Sequence, residues 1–206
     1  MRARAAFLIM ALALATSPSE AATFLSVAGV WSSTVPTDNR SDTGYSGKPS
    51  LGAGLLLAFP VWRRFELETG ALFIGRKYSN TGASSNTVQQ RLLQVPMVVR
   101  LPFLGYFSIG GGLYYSFFQG QIENSFRSGA STVTTEQSYA AENRSTSELG
   151  VLGSLGFVTA PIGQLRLFAD FRYVYGFTDT DLTATSLTFD DAMILIGIRI
   201  PLWRRE

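Results

Sequence analysis

Apolar and polar residues alternate with a period of two along much of the chain, most cleanly between Leu165 and Phe177. There the odd positions are Leu165, Leu167, Ala169, Phe171, Tyr173, Tyr175 and Phe177, whereas the even positions include Arg166, Asp170 and Arg172. Successive side chains of a β-strand leave opposite faces, so this period predicts a strand with one wholly apolar face. The other face carries charges of both signs close enough to meet. Such a strand suits lipid on its outside and a polar lumen on its inside.

Eight runs carry strand patterning: 23–31, 51–59, 65–78, 88–101, 107–119, 147–159, 165–177 and 190–202. The breaks between them alternate in kind. Those after the even-numbered runs are tight and marked by Pro60, Pro102 and Pro161, with Pro201 closing the last run; proline cannot donate to a ladder and suits the end of a strand. Those after the odd-numbered runs are long and polar, the longest being 120–146. An all-β fold follows: an eight-stranded antiparallel transmembrane β-barrel, an up-and-down meander with one short rim and one long one.

Face assignment strengthens the transmembrane reading. Leu93, Val95, Met97, Val99 and Leu101 share a face, as do Ile194, Ile196, Ile198, Ile200 and Leu202, and charge stays on the opposite faces. A soluble lipocalin-like barrel, the nearest rival, would put its charged face outward and its apolar face inward. Proline at position 96 sits inside a run, and a bulge is expected there.

Composition narrows the function more than the fold. The chain has no cysteine and no histidine, which removes disulfides, thiol catalysis and the imidazole chemistry of most acid-base and zinc sites. Two carboxylates could still serve an enzyme, but Glu66 and Glu68 share their face with arginine partners and have no nucleophile or metal cluster beside them. We expect a non-enzymatic protein with no catalytic residues, no metal site and no cofactor. Residues 1–21 read as a signal peptide, with Arg2 and Arg4 before an apolar stretch and Ser19-Glu20-Ala21 as a cleavage site, leaving 22–206 as the barrel domain. Without that leader the chain holds 15 basic and 14 acidic residues, so no basic surface for nucleic acid is expected.

The inward charges are five acids, Glu66, Glu68, Glu148, Asp170 and Asp191, and five arginines, Arg76, Arg100, Arg166, Arg172 and Arg199. An eight-stranded barrel has an interior just filled by side chains, so these groups are expected to pair and close the lumen. The alternative is a narrow diffusion pore for ions or small solutes whose pairs rearrange. Trp-Arg-Arg occurs twice, as Trp62-Arg63-Arg64 and Trp203-Arg204-Arg205, and both copies fall on the short rim, where indole and guanidinium suit lipid headgroups. Trp31, Tyr78, Tyr173, Tyr175 and Phe177 are expected to form the aromatic girdle at the other rim. Segment 120–146 reads either as a solvated, mobile loop or as a contact surface for an extracellular ligand or protein.

Leu93-Gln94-Val95-Pro96-Met97-Val98-Val99-Arg100, Ile109 to Tyr114, Glu148 to Phe157 and Asp170 to Gly176 together resemble the PorT-type outer-membrane β-barrel domain, over nearly the whole mature chain. The resemblance implies a cell outer-membrane barrel, surrounded by outer-membrane lipid and inserted by the barrel-assembly machinery; eight strands with short periplasmic turns put both termini at the periplasmic rim. The last strand is similar to an assembly signal, with Gly197, Ile200 and Leu202, but ends in Trp203-Arg204-Arg205-Glu206 in place of a terminal aromatic. The resemblance says little about activity; the paired lumen charges and the long polar loops lead us to expect a structural or loop-mediated binding role.

Overall fold

A computed structural model describes residues 22–38, 45–62, 64–80, 85–128, 131–178 and 187–204. The expected signal peptide, Arg63 and Arg205 lie outside them. Among the described residues nine strands form one antiparallel sheet: β1 (Ala22–Asp38), β2 (Tyr45–Trp62), β3 (Phe65–Asn80), β4 (Ser85–Phe103), β5 (Phe107–Ser128), β6 (Ser131–Gln137), β7 (Ser147–Val158), β8 (Arg166–Gly176) and β9 (Leu187–Arg204). Eight of them close into a ring in chain order, omitting β6, because β4 also pairs with β5 and β1 pairs with β9 from Ala22↔Arg204 to Asp38↔Leu187. Closure leaves the ring without an exposed edge.

The ring's two faces follow the sequence parity. Phe73, Met97, Val99, Ile109, Leu113, Leu155, Leu167, Phe171 and Ile196 stand exposed on the outer wall, while Leu56, Leu72, Val98, Leu152, Val174 and Leu195 are buried in the lumen with the inward charges. No water-filled interior is needed to hydrate those charges, because side chains occupy it. Glycines make the room. A Cβ on inward-facing Gly150 would meet the Tyr175 carbonyl oxygen at 2.1 Å and the Tyr114 ring at 2.5 Å, so Gly150 leaves room both for the neighbouring backbone and for the tyrosine.

At the tight-turn rim the strands run slightly past the prolines: Pro60, Pro102 and Pro201 lie within the last residues of β2, β4 and β9. The β4–β5 turn uses Leu104 and Gly105 at positive φ, 52° and 74°. No bulge accompanies Pro96. The register against β5 is continuous through Pro96↔Tyr114, and against β3 it resumes unchanged on either side of the proline. The ladder has a gap there, opposite Gly70 and Ala71, in place of an inserted residue, since a missing N–H removes a bond without adding length to the strand.

The larger departure is in 120–146, whose sequence reads as a loop. β5 continues to Ser128 and turns back as β6, pairing from Ile122↔Gln137 to Ser128↔Ser131. The hairpin stands beyond the ring as an extension of the β4–β5 sheet, with every side chain of β6 exposed.

Candidate functional site

The lumen charges are placed by parity on five different strands and meet in layers. In the layer nearer the tight-turn rim, β3 supplies Glu68, β4 Arg100, and β8 both Asp170 and Arg172. Arg100 donates through Nε and Nη2 to Glu68 at 3.0 and 3.1 Å, and through both Nη atoms to Asp170. Arg172 donates to Asp170 at 2.8 Å and to Glu68 at 2.6 Å. Two acids and two arginines thus form a closed ring, each contacting both partners of opposite sign, all buried. A cavity of about 20 Å³ beside it, bounded by Ser26, Ser108 and Phe168, has room for about one water molecule.

The second layer is built on Arg76, which is 1% exposed. It donates to Glu148 at 2.7 and 3.1 Å and to Asp191 at 2.6 Å. The Tyr114 hydroxyl donates to Glu148 at 2.6 Å and Thr34 Oγ1 to Asp191 at 2.5 Å, so the excess carboxylate charge is met by neutral donors. The guanidinium lies over the Phe189 ring at 4.5 Å and the Phe118 ring at 5.7 Å, an arrangement that favours a desolvated cation. Between the layers the lumen holds apolar side chains, including Leu72 and Leu152. At the rim itself Arg199 donates to Glu66 at 2.7 Å and sits 4.1 Å from the Phe24 ring, with Arg166 5.7 Å from the same ring.

A cap closes the long-loop end. Residues 138–144 fold back as a turn, with Ala141 N–H donating to Ser138 and Arg144 N–H to the Tyr139 carbonyl. Tyr139 is buried against Phe118, ring centroids 5.3 Å apart, and burial pushes its phenol up to about 12. Asn124 donates to Glu142, which is paired with Arg144 at 3.1 Å. Arg144 reaches down to the Tyr78 hydroxyl at 2.6 Å, and Tyr78 packs on Phe189, the ring beneath Arg76. The cap and the inner layer are thereby in continuous contact.

Tyr78 does not join the aromatic girdle. It is 1% exposed and faces the lumen, as its parity with Arg76 requires. Trp31, Tyr173, Tyr175 and Phe177 do stand on the outer wall, with Tyr175 and Phe177 in edge contact at 5.6 Å and Tyr173 donating to Asp190. Of the repeated Trp-Arg-Arg motif, Trp62 is exposed and stacks on Phe65 at 5.9 Å, and Arg64 is half-buried. Trp203 and Arg204 end β9 at the same rim, though their side chains lie outside the described residues. Tyr114, Thr34, Tyr139, Arg144 and Phe189 were not singled out by the sequence; for Tyr114 the signal was the inward glycines at 110, 112 and 150 around it.

Removing the Tyr78 hydroxyl tests the cap. Tyr78→Phe takes away a hydrogen bond to a charged group, a loss of about 1.5–3 kcal/mol, and should raise the rate of trypsin cleavage after Arg144 in the membrane-inserted protein. Cleavage at the wild-type rate would mean that the cap is held by Tyr139 and Glu142 alone.

No family model and no curated protein sequence matches the chain. Among solved structures, it is similar to the outer membrane protein OprG from Pseudomonas aeruginosa, at 14% identity and a TM-score of 0.52 over 88% of this chain and 96% of that one. AlkL in lipid bilayers aligns at 11% identity and a TM-score of 0.48 over 92% and 94% of the two chains. Neisserial surface protein A aligns at 11% and 0.44 over 87% and 97%. The likeness to OprG is one of fold: the chain has the architecture of the small outer-membrane β-barrels.

Proposed function

We propose that the chain is a non-enzymatic outer-membrane barrel of the PorT type, closed to conduction, that acts as a scaffold for recognition at its long-loop end. Its signal peptide would direct it out of the cytoplasm, the barrel-assembly machinery would insert it, and both termini would face the periplasm. The long-loop rim, with the β5–β6 hairpin, then faces outward.

The observation that carries the reading is the double closure of the lumen. A permeating ion would have to part the ring of Glu68, Arg100, Asp170 and Arg172, then the Arg76 layer, then the cap. Parting a buried pair exposes uncompensated charge, which costs several kcal/mol at each layer. A pore needs sites weak enough to leave, and these contacts of 2.6–3.0 Å are not weak. Meanwhile the hairpin presents a polar, fully exposed strand that contributes nothing to the barrel's core.

Planar-bilayer recording of the refolded chain tests this directly. We expect no stepwise conductance across the voltage range from protein shown to be folded. Reproducible steps would establish transport as the function and turn attention to Arg100 and Arg172.

A further inference from the structure

The outer wall changes character within one step of the β4–β5 ladder. Leu93 opposes Phe117; the next outward pair is Arg91 with Gln119, and beyond it Gln89 opposes Glu123. Between these last two pairs β4 supplies one residue, Gln90, while β5 supplies three, 120–122. Gly120 makes the detour at φ 73°, a conformation open to glycine at little cost, and Ile122 turns inward and is buried. The detour opens a cavity of about 340 Å³ on the outside of the barrel, lined by Gln89, Arg91, Gln119, Gln121, Glu123 and Glu136 with the Gly120 backbone.

Every lining side chain is polar. Three amides present donors and acceptors together. Arg91 approaches Glu123 at 3.8 Å with 73% of its side chain exposed, so it is only loosely held. Glu136 lies directly across the ladder from Glu123, and no partner for its carboxylate is found among the described residues. Like charges directly opposed on paired strands are unfavourable. An occupant rich in hydrogen-bond donors would relieve that conflict, whereas phosphate or sulfate would meet two carboxylates and one guanidinium.

We propose that this cavity binds a saccharide that carries hydroxyl or amine donors and no acidic group. The proposal rests on the recognition reading above and gives it a location and a ligand class. Because the cavity begins where the exposed apolar band of Leu113, Tyr115 and Phe117 ends, the saccharide can arrive free in solution or as the headgroup of a glycolipid in the surrounding leaflet.

The test uses the full chain refolded in detergent micelles and in phosphatidylethanolamine vesicles. Maltoheptaose and a glucosamine oligomer are titrated against the micellar protein, with dextran sulfate as the acidic comparator; vesicles with and without digalactosyldiacylglycerol report lipid-borne sugar. We expect the uncharged or amino sugar to bind and dextran sulfate not to. Glu136→Gln and Gln121→Ala, both at exposed positions, should each weaken binding about tenfold. Binding of the soluble sugars identifies a free ligand, and retention only with the galactolipid identifies a headgroup. Absence of binding in every arm, a preference for dextran sulfate, or wild-type affinity in both variants would each overturn the proposal. Conductance is a separate readout: a barrel that conducts and binds these sugars would defeat the closed-lumen reading while leaving this one intact.

Discussion

Asp170→Ala should destabilise the barrel by about 3–5 kcal/mol, measured as a lowered urea midpoint for unfolding from lipid vesicles. Asp170 reaches both Arg100 and Arg172, as Glu68 does. Truncating it leaves two buried guanidinium groups with a single carboxylate, and the surplus charge has only a cavity of about 20 Å³ from which to draw water. The argument makes a second, sharper statement. Asp170→Ala combined with Arg172→Met removes one charge of each sign and leaves Glu68 with Arg100, so the double variant should be more stable than Asp170→Ala alone. A single variant with the wild-type midpoint would show that the layer is hydrated, and the case against a pore would weaken with it.

That ring illustrates what the sequence made legible and what it did not. The period of two placed Glu68, Arg100, Asp170 and Arg172 on inward faces, because burial of a charge against lipid is too costly for it to stand elsewhere. Which acid meets which arginine depends on strand stagger around the closed ring, and stagger leaves no mark on the alternation of any one strand. Tyr78 was legible in principle: it shares parity with Arg76, and the weight given to aromatics at a membrane rim obscured that. The strand Ser131–Gln137 was hidden for a different reason. With both its faces in water, Ser-Thr-Val-Thr-Thr-Glu-Gln has no apolar stripe to reveal its period, although four of its seven residues are β-branched and favour extended backbone. The cap escaped notice because Tyr139 and Arg144 acquire partners only once the chain folds back onto Phe118 and Tyr78.

Phe171→Arg should abolish most productive insertion into vesicles, read as loss of the folded, heat-modifiable band on an unboiled gel. Phe171 lies at the middle of β8, is 48% exposed, and is flanked across the ladder by exposed Leu155 and Ile194. Arginine on the lipid face costs about 2–4 kcal/mol near the bilayer midplane, a large share of the stability of a small domain. Phe171→Leu keeps the face apolar and should insert normally, so the pair separates charge from loss of the aromatic ring. The adjacent residue supplies the internal contrast: Arg172 already carries this charge one position along, tolerated because it points into the lumen and is paired there. Full insertion of the Phe171→Arg variant would mean that the exposed apolar wall does not meet lipid. The soluble-barrel reading would then return despite the closed ion-pair layers, and those layers would need explaining as the core of a protein that lives in water.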